Sequence, residues 1–274
     1  MKHSVPDDKH HRMLVVRAAP TVAKVRDIRR SVIGPVPTGM PNRSLPGLTR
    51  TQFPDSLRDA AMEETVLKGG ENISKIGGVV LVGPLKGARI VTLALEERKT
   101  CPASCKLWDS CYGNNMPRLI RYNEGPALEA KIVMEMISLC ERHDKVLARL
   151  HIVGDFYSTE YLQLWADLLD RFPGLHVFGF TAWTEDTTIG KGVAWLREQD
   201  PQRFAVRTSG RTGTWGSFTL PFPTDRPMIG DAVVCPEQRD AMNGSERGIH
   251  CGSCGLCWKS GGAATGLPIA FVEH

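Results

Sequence analysis

Seven of the eight cysteines in this 274-residue chain fall into two short groups. The first, Cys101-Pro-Ala-Ser-Cys105-Lys-Leu-Trp-Asp-Ser-Cys111, follows the apolar stretch 90–95 directly. The second is Cys235-Pro236 followed by Cys251-x2-Cys254-x2-Cys257-Trp258. Thiols spaced this closely are metal ligands before they are anything else in a reducing compartment. Three cysteines two residues apart, with a remote Cys-Pro, is the ferredoxin type of iron–sulfur ligation. Cys235, Cys251, Cys254 and Cys257 are therefore expected to hold a cluster, 4Fe–4S first, with tetrahedral zinc as the alternative at this C-terminal site. Cys101, Cys105 and Cys111 supply three ligands, which leaves one metal position open for a substrate. Completion by His143, His151 or His250 would instead make that site structural, and a merger of both groups into one centre is a further alternative. Cys140 belongs to neither group and reads as a buried core thiol, since free cysteine packs as a small hydrophobe. Cysteines grouped at ligand spacing are poor candidates for a lone nucleophile.

The elements that must position these groups alternate regularly. Strands are expected at 79–82, 88–95, 148–153, 176–180, 203–207, 228–234 and 269–272. Helices are expected at 55–68, from Pro126 onward with Leu128, Ile132, Met136 and Leu139 on one face, at 159–172 and at 187–198. Ser158 opens the third of these helices as its N-cap. Strands alternating with helices of 10–15 residues predict an α/β fold, either a partial (β/α) barrel or an open parallel sheet of five or six strands, with cysteine-rich metal-binding loops. Such folds bind ligands at the carboxyl ends of their strands. Gly154 and Asp155, directly after strand 148–153, then face the first cysteine group as cofactor-binding residues, with Asp155 the candidate catalytic group. The bland reading is that Asp155 caps the following helix. Thr181, Ser209 and Arg211 follow later strands toward the same mouth, and Arg207 and Arg211 are candidates for an anionic group.

Charge divides the chain. Residues 1–50 carry ten Lys/Arg against Asp7, Asp8 and Asp27, while the whole chain is only +4. The division expected is a basic, Pro/Gly-punctuated arm over 1–54 and an iron–sulfur-type domain over 55–274, whose four-cysteine site spans 235–257. A basic arm suits nucleic acid or another polyanion; otherwise it is a solvated tail. No apolar run approaches the roughly 20 residues of a membrane span, and Met13-Leu-Val-Val16 is too short for the apolar part of a signal peptide. A cytoplasmic protein without membrane contact is the expectation.

Three stretches carry a family likeness: Leu93-Ala-Leu-Glu-Glu-Arg-Lys-Thr-Cys-Pro-Ala-Ser-Cys105 with Cys111-Tyr-Gly-Asn-Asn-Met116, His151-Ile-Val-Gly-Asp-Phe-Tyr-Ser158, and Cys251 to Trp258. In this order they resemble the phage gene product 88 family over roughly residues 70–274, a family whose name implies no activity. The layout is also similar to a trimmed radical S-adenosylmethionine enzyme, in which a strand leads to a three-cysteine loop and a second strand ends at the methionine amine. By that likeness Cys101, Cys105 and Cys111 match the loop and Gly154-Asp155 the strand end, and the four-cysteine group corresponds to an auxiliary cluster. The match is not full: the usual loop is Cys-x3-Cys-x2-Cys, and Gly-Asp stands where Gly-Gly-Glu is usual.

Overall fold

The computed structural model describes residues 49–108, 111–220, 231–238, 248–258 and 266–272. Its frame is an eight-stranded sheet. The strands are β2 (Lys68–Gly69), β3 (Arg89–Thr92), β5 (Val146–Leu150), β6 (Leu175–Thr181), β7 (Phe204–Ser209), β8 (Gly216–Leu220), β9 (Val233–Val234) and β10 (Ile269–Val272). They lie in the order β2-β3-β5-β6-β7-β8-β10-β9. Only β2 runs antiparallel to its neighbour; every other pairing is parallel. A separate parallel ribbon joins β1 (Leu57–Arg58) to β4 (Arg121–Tyr122). The edge strands β2 and β9 do not pair among the described residues, so the α/β sheet is mostly parallel and no closed barrel forms there.

Three helices connect the parallel strands. Helix α1 (Pro126–Arg142) starts with proline at its first position, where the missing N–H costs nothing. Ser158 caps α2 (Thr159–Arg171) by accepting the Tyr161 N–H at 3.0 Å, and Thr187 caps α3 (Thr188–Gln199) through the Gly190 N–H at 3.1 Å. Period-two alternation sorts the strand side chains between two cores. Val146, Ala148, Leu150, Val177 and Val206 pack beneath the helices with Leu162 and Trp165. Leu147, Phe178 and Ala205 face the other way, toward Ile90, Ile76 and Trp258. Arg149 and His151 continue the second face. Among the described residues no helix is long and apolar enough to cross a membrane.

Several expected elements differ. The helix over 55–68 is replaced by two 3-10 turns, Pro54–Ser56 and Ala60–Met62, and short extended pieces. The cause is distant in sequence: the Glu135 carboxylate of α1 takes the Val66 and Leu67 N–H groups at 2.7 and 2.9 Å, which holds this stretch extended. Segment 79–82 is no strand. Val79 makes one antiparallel bridge to Arg89, and the Leu81 N–H donates to the Gly252 carbonyl at 2.8 Å. The sheet has more strands than the five or six expected, and β8 was not foreseen. Of the last expected strand before Cys235, residues 228–230 lie outside the described residues. Cys140 is half-buried rather than buried, packed against the helix-side core, and that burial raises its thiol to about 11.

Candidate functional site

The carboxyl ends of β5, β6 and β7, with residues of β8 and β10, line one cavity of about 790 Å³. Cys101, Cys105 and Cys111 line it on one side, and Cys235, Cys251 and Cys257 on the other. Cys254 sits within electrostatic range of Cys251 and Cys235. None of the eight cysteines is in a disulfide. Cys101 feels Cys105, Cys111 and Asp155, while Cys257 feels Cys251 and Cys235. Among the described residues, however, no three His, Cys, Asp or Glu side chains converge on the point a single ion would occupy.

The first cysteine loop is held by a buried ionic network. Arg121 and Glu97 are both fully buried, with Arg121 Nε 2.6 Å from Glu97 Oε2. The Arg121 guanidinium also donates to the Gly113, Met116 and Leu119 carbonyls at 3.0, 3.0 and 2.6 Å and to Ser56 Oγ at 3.0 Å. Thr51 Oγ1 donates to Glu97 at 2.7 Å, and Arg50 pairs with Glu96 at 2.5 Å. Thr100 completes the turn, its hydroxyl donating to the Glu96 carbonyl at 2.9 Å while accepting the Asp155 N–H at 3.0 Å. The loop so fixed turns backbone N–H groups of Arg98, Leu107 and Gly113 toward the sulfurs of Cys101, Cys105 and Cys111. Glu237 and Gln238 do the same for Cys235.

The second group is built on a single helical turn, α4 (Cys251–Cys254), ended by Gly255 in the left-handed conformation at φ 70°. Its backbone docks on the segment preceding β3: the Cys251 and Gly252 N–H groups donate to the Lys75 and Ile76 carbonyls at 2.8 and 2.9 Å. Lys75 lies 3.7 Å from Glu237, two residues past Cys235. The cysteine turn thus joins the chain near β3 to the chain after β9, at opposite ends of the sheet.

Gly154 and Asp155 stand at the end of β5 on the cavity wall. Gly154 has φ +85°, and a Cβ there would meet Leu95 Cβ at 2.6 Å and Thr100 Oγ1 at 2.8 Å, so the glycine is what lets the cysteine loop cross the strand end. Asp155 does not cap α2, because Ser158 does. Its Oδ1 accepts the Phe156 N–H at 2.7 Å and the Thr181 hydroxyl at 2.8 Å, and its Oδ2 accepts the Ala182 N–H at 2.7 Å. Burial outweighs these bonds and raises the carboxyl to about 7.

The remaining expectations divide. His151 Nε2 meets the Tyr161 hydroxyl at 3.0 Å, and its buried Nδ1, on the cavity wall, has no hydrogen-bond partner among the described residues. Burial, then Arg149, lowers its imidazole to about 3 and keeps it neutral. His250 precedes the cysteine turn and packs under Gly77. His143 is exposed at the end of α1 that feeds β5, the opposite edge of the sheet. Ser209 reaches the cavity, and Thr181 is spent on Asp155. Arg211 lines a smaller neighbouring pocket with Ser104 and Lys106 instead. Arg207 is buried, with Nη1 3.3–3.4 Å from the Thr214, Gly216 and Leu267 carbonyls. Arg149 was missed by the sequence reading. It faces the cavity beside the Phe178 and Phe180 rings, 5.5 and 4.8 Å from their centroids. The signal was there: Arg149 and His151 are two polar residues two apart in an otherwise apolar strand, hence on one face.

Fold and site together define a mostly parallel α/β protein in which half-buried cysteines of both groups line one strand-end cavity. The chain belongs to the gene product 88 family, whose model matches residues 74–260. No curated protein and no solved structure matches it. The family match begins where the chain approaches the cysteine turn and takes in both cysteine groups. The similarity to radical S-adenosylmethionine enzymes has no counterpart in these comparisons.

Proposed function

We propose that this protein is a metalloprotein holding two iron–sulfur centres, one in each cysteine group, with the three-cysteine centre as the seat of chemistry. The observation that carries the reading is the shared cavity at the strand ends, with Asp155 beside the set of three. Burial holds Cys101 and Cys257 well above the ordinary thiol range, Cys105 at about 11 and Cys251 at about 12, so without a bound cation these thiols stay protonated. Backbone N–H groups aimed at four of the sulfurs are the second-shell bonds that tune such centres. Spacing favours a cluster over zinc at the C-terminal site, since Cys251-x2-Cys254-x2-Cys257 with a remote Cys235-Pro236 is the ferredoxin type of ligation. Zinc at the C-terminal site is the alternative.

On this reading Cys101, Cys105 and Cys111 hold the first centre, and its fourth position opens on the cavity. A cluster with one non-cysteine iron supplies an electron and an open coordination position to a bound molecule, of which S-adenosylmethionine is one. The chain's own groups do the rest. Asp155, poised near neutrality, holds or releases a proton at a bound amine or hydroxyl. The neutral His151 lines the same space, and Phe178 and Phe180 add apolar wall. The C-terminal group is structural or relays electrons. Anaerobic reconstitution, iron and sulfide analysis and EPR test this; a colourless protein carrying only stoichiometric zinc refutes it.

The charge of residues 1–50 favours a second reading, a cluster- or zinc-stabilised module that binds nucleic acid. Salt-dependent binding of DNA or RNA that is lost on deleting residues 1–48 supports it, and indifference to the deletion counts against it.

A further inference from the structure

Two guanidinium groups sit beside the four-cysteine set without any carboxylate partner among the described residues. Arg149 gives its Nη1 to the carbonyls of Leu150 and His151, and Arg207 gives its Nη1 to three carbonyls. Arg207 is fully buried, and its Nε and Nη2 have no hydrogen-bond partner among the described residues. The ionisable groups of opposite charge within their electrostatic reach are the thiols of Cys251 and Cys257 for Arg149, with the Tyr112 hydroxyl beside them, and Cys257 for Arg207. Packing ties them together: Cys251 and Cys257 join the core that holds Trp258, Trp258 lies 4.7 Å from Phe178, and Phe178 lies under Arg149.

A buried cation is costly unless something negative balances it. Neutral thiols balance nothing. Four thiolates around a divalent ion leave about two units of negative charge, and a cluster held by four thiolates is also anionic. Two positive charges beside such a centre close the balance.

We propose that Arg149 and Arg207 are the charge partners of an anionic four-thiolate centre formed by Cys235, Cys251, Cys254 and Cys257. They act through the sulfurs rather than as ligands. This rests on the metal reading above and adds the charge of the centre and the residues that neutralise it. Two opposite signs follow. With metal bound, removing either cation weakens the centre. Without metal, removing Arg149 relieves an uncompensated charge.

The experiment titrates the full-length apoprotein with cadmium(II), following thiolate-to-cadmium ultraviolet absorption against a competing chelator. The second site is identified by the part of the signal lost in Cys254→Ser. Arg149→Met and Arg207→Met are expected to lower that affinity about 10–100-fold, the range for outer-shell partners, and Arg149→Lys to lower it less. Apo Arg149→Met is expected to melt at or above the apo wild type. Unchanged affinity in both methionine variants overturns the inference while leaving the metal reading standing. So does an apo Arg149→Met that melts below wild type with no recovery in Arg149→Lys, because the role is then scaffolding. A wild type with no Cys254-dependent band sinks the metal reading and this inference with it.

Discussion

Replacing Arg121 by methionine should be among the most damaging single changes in the described part of the molecule. Arg121 and Glu97 are both fully buried, so no water takes over when one partner is removed. The guanidinium makes five hydrogen bonds: one to Glu97, one to Ser56 and three to carbonyls of the loop 113–119. The carbonyls lie in loop and can find water after a small relaxation, but Glu97 cannot, and it keeps only the Thr51 hydroxyl and the more distant Arg98, 3.9 Å away. Breaking a buried pair from one side costs about 3–5 kcal/mol, a large share of the 5–15 kcal/mol that typically holds a domain together. Urea unfolding of the apoprotein gives the magnitude, read as a shift in midpoint at constant slope. A double-mutant cycle with Glu97→Gln isolates the pair: the double variant should be more stable than the sum of the two singles by at least about 2 kcal/mol. Cys111 is the N-cap of the turn whose Gly113 carbonyl Arg121 holds, so the same variant should also lose metal from the first group. A loss of stability below about 1 kcal/mol for Arg121→Met, or strict additivity in the cycle, refutes the claim that this pair holds the cysteine loop.

Gly154→Ala should cost about 2–5 kcal/mol, because the left-handed backbone and the 2.6 Å approach to Leu95 both oppose a side chain; urea unfolding checks it. Asp155 should make the apoprotein less stable as pH rises. Its folded carboxyl titrates at about 7 against about 3.9 unfolded, so between those values the native state holds the extra proton. The contribution is full below the unfolded value and falls away by up to about 4 kcal/mol as pH climbs through 7, a slope that Asp155→Asn should abolish in denaturation series across pH. Cys140→Ala should leave metal content unchanged and cost at most about 1–2 kcal/mol, since the side chain is only half-buried, whereas Cys254→Ala should remove one centre by elemental analysis.

The strand–helix rhythm from 146 to 209 was readable because its signals are local. Ser158 and Thr187 cap their helices with their own side chains, and the strands 146–150, 175–181 and 204–209 are mostly apolar. What stayed hidden depends on residues far apart. The stretch 55–68 has helical spacing, yet Glu135, nearly 70 positions away, decides its conformation. Glu97 and Arg121 carry no pattern that marks them as a pair, and a sequence does not say that β10 enters the sheet between β8 and β9. Spacing divides the cysteines into two groups in the sequence, but it says nothing of the cavity that members of both line. Arg149 was legible in principle as a lone cation in an apolar strand.

The place of β10 has a consequence for assembly. Among the described residues β9 pairs in the sheet with β10 alone, so the strand that leads into Cys235 has no seat there until residues 269–272 have been made. The loop of Cys101, Cys105 and Cys111 depends on β3, β5 and the Glu97–Arg121 pair, all of which leave the ribosome more than a hundred residues earlier. The two thiol sets are therefore completed in a fixed order during synthesis, the three-cysteine set first. The second set closes after β10 has been made and, by docking on Lys75 and Ile76, fastens this later stretch of the chain to an earlier one.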